Sequence, residues 1–172
     1  MTGKKFLNRI ANSKQDIVQL LLDTLEELKV DYCVIGGLAV NAYAEHVASL
    51  DLDLVLAIDD TEKLLKQSKN IFSIKKFEHR INLQHQDSDL RIQVQTDRRY
   101  QSFIAGASEK KVLGYKMKVA ALEDVLEGKI WAYSDEERRK SKRQKDLADI
   151  MRLVETHSLL YELLPEKIKK LI

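Results

Sequence analysis

The chain is poor in the residues that break or staple a fold. One proline, Pro165, and six glycines are spread over 172 residues, so long elements joined by short turns are expected. A single cysteine, Cys33, excludes an intramolecular disulfide and a cysteine zinc cluster. No apolar run approaches the ~20 residues that a bilayer demands, which excludes a spanning helix. The opening stretch, MTGKKFLNRIANSKQD, has no apolar h-region, so no signal peptide is read and a cytoplasmic location is the expectation. Neither sign of charge dominates: 29 basic residues face 27 acidic ones, for a net +2. The overall balance therefore says little about nucleic acid. What is present is ordinary globular material, 44% hydrophobic and 33% charged. A chain of this length buries roughly 70% of its unfolded surface and needs no staples.

The pattern along the chain reads as helix, then mixed α/β, then a helical tail. Ser13 to Lys29 predicts an amphipathic helix, with Ile17, Leu21, Leu25 and Leu28 in one stripe and Ser13 with Asp16 as a capping box. Val30 to Ile35 is a short β-rich run that ends at Gly36-Gly37, and Leu38 to Glu45 is helical in composition. Leu50 to Ile58 predicts a strand, and Asp60 to Lys69 a helix capped by Asp59 or Asp60. Ile71 to His85 holds one or two strands. Asp89 to Thr96 alternates cleanly as a strand. Arg98 to Ala107 predicts a short helix and Lys111 to Val119 a strand. Helices follow at Ala121 to Tyr133, Glu136 to Glu155 and Leu159 to Ile172. The expected organisation is a core over 1–120 and a helical part over 121–172, packed as one compact unit.

Two features carry possible chemistry. Gly36-Gly37 lies between a strand and a helix, where backbone amides can approach an anion such as phosphate; taken alone, a plain tight turn is the commoner explanation. Asp51 and Asp53, at i and i+2 of a strand, share one face. Carboxylates about 6–7 Å apart repel unless a cation lies between them. Hard oxygen ligands of this kind suit Mg²⁺ or Mn²⁺ held together with substrate phosphates. Two solvated aspartates on an exposed face are the plainer alternative.

Together the two features are more specific. Gly-Gly, a gap of thirteen residues, then Asp-hydrophobic-Asp, within VIGGLAVNAYAEHVASLDLDLVLA, resembles the signature of the nucleotidyltransferase superfamily, the DNA polymerase β-like fold. In detail it looks like the small members, the AbiEii-type toxins and MNT-type antitoxins. The resemblance implies an α/β fold with a small mixed sheet, packed helices and a helical C-terminal part. It also implies Gly36 and Gly37 at the nucleotide, Asp51 and Asp53 as metal-binding catalytic carboxylates, an NTP as substrate and Mg²⁺ or Mn²⁺ as cofactor. Acceptors implied are RNA, including tRNA, or protein; a cognate toxin or antitoxin is an implied partner. The likeness extends to LEDVLEGKIWAYSDEERRKSKRQKDLADIMRLVE, where Lys129 matches a lysine of such members and Lys145-Asp146 a basic-Asp pair.

Periodicity adds to this. Lys129 falls in the middle of an apolar face formed by Leu122, Val125, Leu126 and Tyr133, so it needs a partner or a task. On the next helix the stripe Leu147, Ile150, Met151 and Val154 puts Asp146 at its edge and Asp149 towards the opposite side. Asp146 is therefore the expected partner of Lys129. A structural ion pair and a role at the nucleotide both remain open. The run RRKSKRQK from Arg138 to Lys145 places Arg138, Lys142 and Lys145 in solvent, as a plain charged face or as a contact for a phosphate backbone. Active members of the superfamily carry a third carboxylate on a later strand. Here the matching position is Gln93, which cannot act as a base near neutral pH. Asp97 and Asp89 lie about 13 Å along the strand from it. The preferred function is transfer of NMP from NTP to an acceptor hydroxyl. The alternative is a catalytically weakened nucleotide- or partner-binding module, antitoxin-like.

Overall fold

The computed structural model describes residues 1–172. Seven strands form one mixed sheet in the order β3-β4-β5-β2-β1-β7-β6. The strands are β1 Tyr32–Ile35, β2 Asp51–Leu56, β3 Ser73–Lys76, β4 Arg80–Gln84, β5 Arg91–Gln95, β6 Ser108–Val112 and β7 Tyr115–Val119. The helices are α1 Gly3–Ile10, α2 Ile17–Glu27, α3 Gly36–Val40, α4 Ile58–Ser68, α5 Leu122–Ser134, α6 Lys140–Thr156 and α7 Glu166–Lys169. Strand β2 runs antiparallel to β1 and parallel to β5. One hydrophobic core runs from Leu7 to Ile168 and takes in residues of every layer. No helix is long and apolar enough to cross a membrane. This is the α/β architecture expected from the sequence.

Several boundaries differ, each for a local reason. The expected capping box of Ser13 with Asp16 does not form. Asp16 is itself the cap, accepting from the Gln19 amide at 3.1 Å. Ser13 is drawn across to Ser88, 2.6 Å away. The helix after Gly36-Gly37 begins at Gly36 and lasts five residues. It stops there because the Asn41 side chain turns the chain, accepting from Val47 N and donating to Val47 O at 3.0 and 2.9 Å. The single strand expected over Lys111 to Val119 is a hairpin, β6–β7. Its turn is Leu113-Gly114, with φ of 51° and 86°, the positive pair a two-residue hairpin requires. Ala57, not Asp59 or Asp60, precedes α4; both aspartates sit in its first turn. Helix α6 starts at Lys140 because Asp135 caps a turn ahead of it, accepting from the Glu137 amide at 3.0 Å. The tail is not one helix. A 3-10 turn covers Ser158–Leu163, and α7 follows Pro165, which forces the residue before it into extended backbone.

Candidate active site

Strand β2 is the second half of the motif and lies in the middle of the sheet. Its even positions, Leu52, Leu54 and Leu56, are fully buried. Alternation therefore turns Asp51 and Asp53 to the other face, where both line a cleft of about 730 Å³. The two carboxylates have different surroundings. Both oxygens of Asp51 are engaged: Arg91 Nε donates to Oδ1 at 2.6 Å and Lys142 Nζ to Oδ2 at 3.3 Å. Burial works to raise the Asp51 carboxyl, but Lys142 and Arg91 outweigh it and hold it below its ordinary value. Asp53 has neither hydrogen bond nor ion pair of its own. Burial on the cleft floor, reinforced by the neighbouring Asp51 charge against the pull of Lys129, pushes its carboxyl up to about 6.

Gly36 explains how close the floor is built. Its φ is +71°, and a Cβ there would stand 2.2 Å from Asp53 Oδ2. Only glycine accommodates both the backbone conformation and the carboxylate. Gly37 differs: a Cβ would meet Ser49 Oγ at 3.7 Å, an ordinary contact. Gly36 lines the cleft with Asp51 and Asp53, whereas Gly37 is not part of its wall.

The opposite wall is made by α5 and α6. The Lys129 ammonium, buried as its place in the apolar face predicts, lies 3.0 Å from Asp146 Oδ1. It also lies 2.8 Å from Asp149 Oδ2, in an ion-pair contact without hydrogen-bond alignment. Burial works against this charge, but Asp149 and Asp146 outweigh it and hold the ammonium above its ordinary value. The assignment of Asp149 to the far side of α6 is therefore corrected. The buried face of α6 is Asp146, Asp149, Ile150 and Leu153, spaced i, i+3, i+4 and i+7. Each aspartate has an arginine as well: Arg138 Nε donates to Asp146 Oδ2 at 2.7 Å, and Arg152 Nη1 to Asp149 Oδ1 at 2.7 Å. Arg152 also reaches Asn41 Oδ1 at 2.8 Å and the Glu45 carbonyl, which ties α6 to the turn after α3. Arg138 and Lys142, expected in solvent, face the cleft and pair with Asp146 and Asp51; Lys145 is exposed. The pairing of Lys142 with Asp51 had no local signal, because the two are 91 positions apart.

Gln93 is in register with Asp53 on the adjacent parallel strand, and with Asn82 on the other side. Ile92 and Val94 are buried beneath. The cleft floor thus reads Asn82, Gln93, Asp53 across three strands, with amides where a third carboxylate was sought. Neither alternative supplies one. Asp97 is held by Arg99 and Asp89 by Asn12, and neither lines the cleft. Trp131 is packing material, stacked on Phe103 with centroids 5.5 Å apart. No cluster of three or more His, Cys, Asp or Glu side chains is gathered here to hold a metal ion by itself. The hard-oxygen donors are the two aspartates of β2.

No protein-family model and no curated relative matches the sequence. Solved structures do match the fold. The lincosamide antibiotic adenylyltransferase LnuA, with lincomycin bound, aligns over 83% of this chain and 99% of its own, with a TM-score of 0.57 at 15% identity. ANT(2'')-Ia in complex with adenylyl-2''-tobramycin aligns over 90% and 92%, with a TM-score of 0.61 at 16% identity. An antigenic nucleotidyltransferase-like protein from Paracoccidioides brasiliensis aligns over 81% and 74%, with a TM-score of 0.55 at 21% identity. The chain has the nucleotidyltransferase fold.

Proposed function

We propose that this chain transfers a nucleoside monophosphate from an NTP to an acceptor hydroxyl on RNA or protein. The observation that carries the reading is the packing of the Asp53 carboxylate on Gly36, beside Asp51, at the floor of a cleft walled by lysine and arginine. The acceptor oxygen attacks the α-phosphorus, the bond from that phosphorus to the α,β-bridging oxygen breaks, and pyrophosphate leaves. Asp51 and Asp53 would hold Mg²⁺ or Mn²⁺. The donor set fits: two carboxylates share a face, and Asp53 has no protein cation of its own. When bound, such an ion neutralises charge developing on the phosphates. Lys129, held by Asp146 and Asp149, lines the cleft and acts on Asp53 through charge alone, which favours phosphate there. Gln93 cannot take the hydroxyl proton, which then passes to solvent; slow or acceptor-selective transfer follows.

The solved neighbours include an adenylyltransferase and a complex with an adenylylated product, which supports monophosphate transfer. The finer likeness to AbiEii-type toxins and MNT-type antitoxins rests on the glycine turn, the Asp-x-Asp strand, Lys129 and Lys145-Asp146. With it come a cytoplasmic location and a toxin–antitoxin partner as parts of the proposal. The test is incubation with labelled ATP, CTP, GTP and UTP, with and without Mg²⁺, in the presence of cellular RNA and protein. Labelled macromolecule that requires Mg²⁺ and is lost in Asp51→Asn and Asp53→Asn is expected. Variants that bind Mg-NTP as the parent does would show the site to be misplaced. Binding without turnover would reduce the chain to a nucleotide-binding module.

A further inference from the structure

We propose that Arg91 and Lys142 are the triphosphate-binding cations of this site, stored on Asp51 until a divalent metal–nucleotide complex takes that carboxylate over. The inference rests on the nucleotidyl-transfer reading and specifies how its substrate enters: metal and triphosphate arrive as one complex.

The asymmetry of the two carboxylates is the starting point. Asp51 is contacted by two cations, one on each oxygen, while Asp53, two residues along the same strand face, has none. An ion held by both carboxylates would compete with Arg91 and Lys142 for the oxygens of Asp51. A group displaced from Asp51 would be an unpaired positive charge in the cleft, free to meet an anionic triphosphate oxygen. Moving it from carboxylate to phosphate exchanges one charge-assisted contact for another and leaves no buried charge unpaired. Metal alone offers no such exchange, since it expels a cation and returns only its own bond.

The two side chains are built to move. The Arg91 and Lys142 side chains are 55% and 31% exposed. They approach from different sides, one from the floor strand β5 and the other from the first turn of α6. Arg80 and Arg139 also line the cleft but contact neither aspartate of β2, and the remaining two cations are held by carboxylates of α6. Lys129 is buried between two carboxylates, and the Arg138 guanidinium is tied to Asp146 by Nε, with Nη2 3.5 Å from the second oxygen. The anchored pair holds the wall, and the mobile pair meets the ligand.

The experiment titrates wild type, Arg91→Gln and Lys142→Gln with Mn²⁺ alone, followed by the spin resonance of free Mn²⁺. It then titrates each with α,β-methylene-ATP, with Mn²⁺ and in EDTA, by calorimetry. In wild type, Mn²⁺ alone binds weakly and the analogue needs Mn²⁺. In each variant Mn²⁺ alone binds several-fold more tightly, because a competitor has gone. The Mn²⁺–analogue complex binds about tenfold more weakly, as the loss of one charged contact predicts. These opposite changes in one protein are the signature. Variants that bind Mn²⁺ no better than wild type, or the complex no worse, overturn the inference while leaving the nucleotide reading intact. Wild type that binds no Mn²⁺–analogue complex overturns both.

Discussion

Replacing Asp53 by asparagine is expected to stabilise the protein in the absence of nucleotide. The carboxyl is pushed from 3.8 to about 6 by its position on the cleft floor. A folded-state value above the unfolded one means the native state binds the proton more tightly. Stability is therefore unaffected by this group below about pH 4, falls as pH rises from 4 to 6, and stays reduced above 6. The difference of about 2 units corresponds to about 3 kcal/mol. That is a ceiling, because the carboxylate is only half-buried and water in the cleft screens it; about 1–2 kcal/mol is the working figure. Asparagine keeps the shape against Gly36 and carries no charge. For a chain of this size, that gain raises the melting temperature by roughly 3–7 °C. Thermal and urea unfolding of both proteins from pH 4.5 to 8 measures it. The gap should be widest at pH 7–8 and close towards pH 4.5. A variant that melts no higher than wild type at pH 8, or a gap independent of pH, refutes the idea that an uncompensated charge is held on the floor. The same substitution should abolish Mg²⁺-dependent nucleotide binding, so stability and binding move in opposite directions, as expected of a site residue.

Gly36→Ala should cost about 1–2 kcal/mol from the backbone alone and displace Asp53, so that Mg-ATP binding fails; Gly37→Ala should fold and bind nearly as wild type, as calorimetry would show. Lys129→Met should destabilise by about 2 kcal/mol in urea unfolding, below the ~3–5 kcal/mol of a fully broken buried pair, because Arg138 and Arg152 remain on Asp146 and Asp149. Loss of the whole 5 kcal/mol would mean that the arginines do not share those carboxylates. Gln93→Asp places a third carboxylate in register with Asp53; tighter Mn²⁺ binding and transfer raised by ~10²-fold or more are expected, and unchanged transfer by a brisk parent enzyme would refute Gln93 as the limiting residue.

The parts of the site that could be read in the sequence are those fixed by local geometry. Alternation in LDLDL placed both aspartates on one face, and helical spacing placed Lys129 inside. Gln93 opposite Asp53 followed from alternation in β5 once the strands were neighbours. Apolar spacing alone does not locate the inward face of α6. Its buried face includes two aspartates, which become inward residues when Lys129, Arg138 and Arg152 meet them from other turns and helices. Once the two aspartates count as inward, the buried stripe rotates from Leu147 and Val154 onto Ile150 and Leu153. The pairing of Arg91 and Lys142 with Asp51 is tertiary, and no spacing in the chain announces it.

The central place of β2 has a consequence for motion. It has a hydrogen-bonded strand on each side, and its apolar face is covered by the core. Its amides should exchange with solvent only when the whole molecule opens. The cleft walls are different. The β3–β4 hairpin lies at the sheet's edge, and the first turn of α6 meets the floor through Lys142 on Asp51. Any closure over a nucleotide must be made by these walls moving against a fixed floor. Hydrogen exchange with and without Mg-NTP should therefore slow in residues 76–80 and 135–143, while the amides of Asp51 to Val55 remain protected in both states.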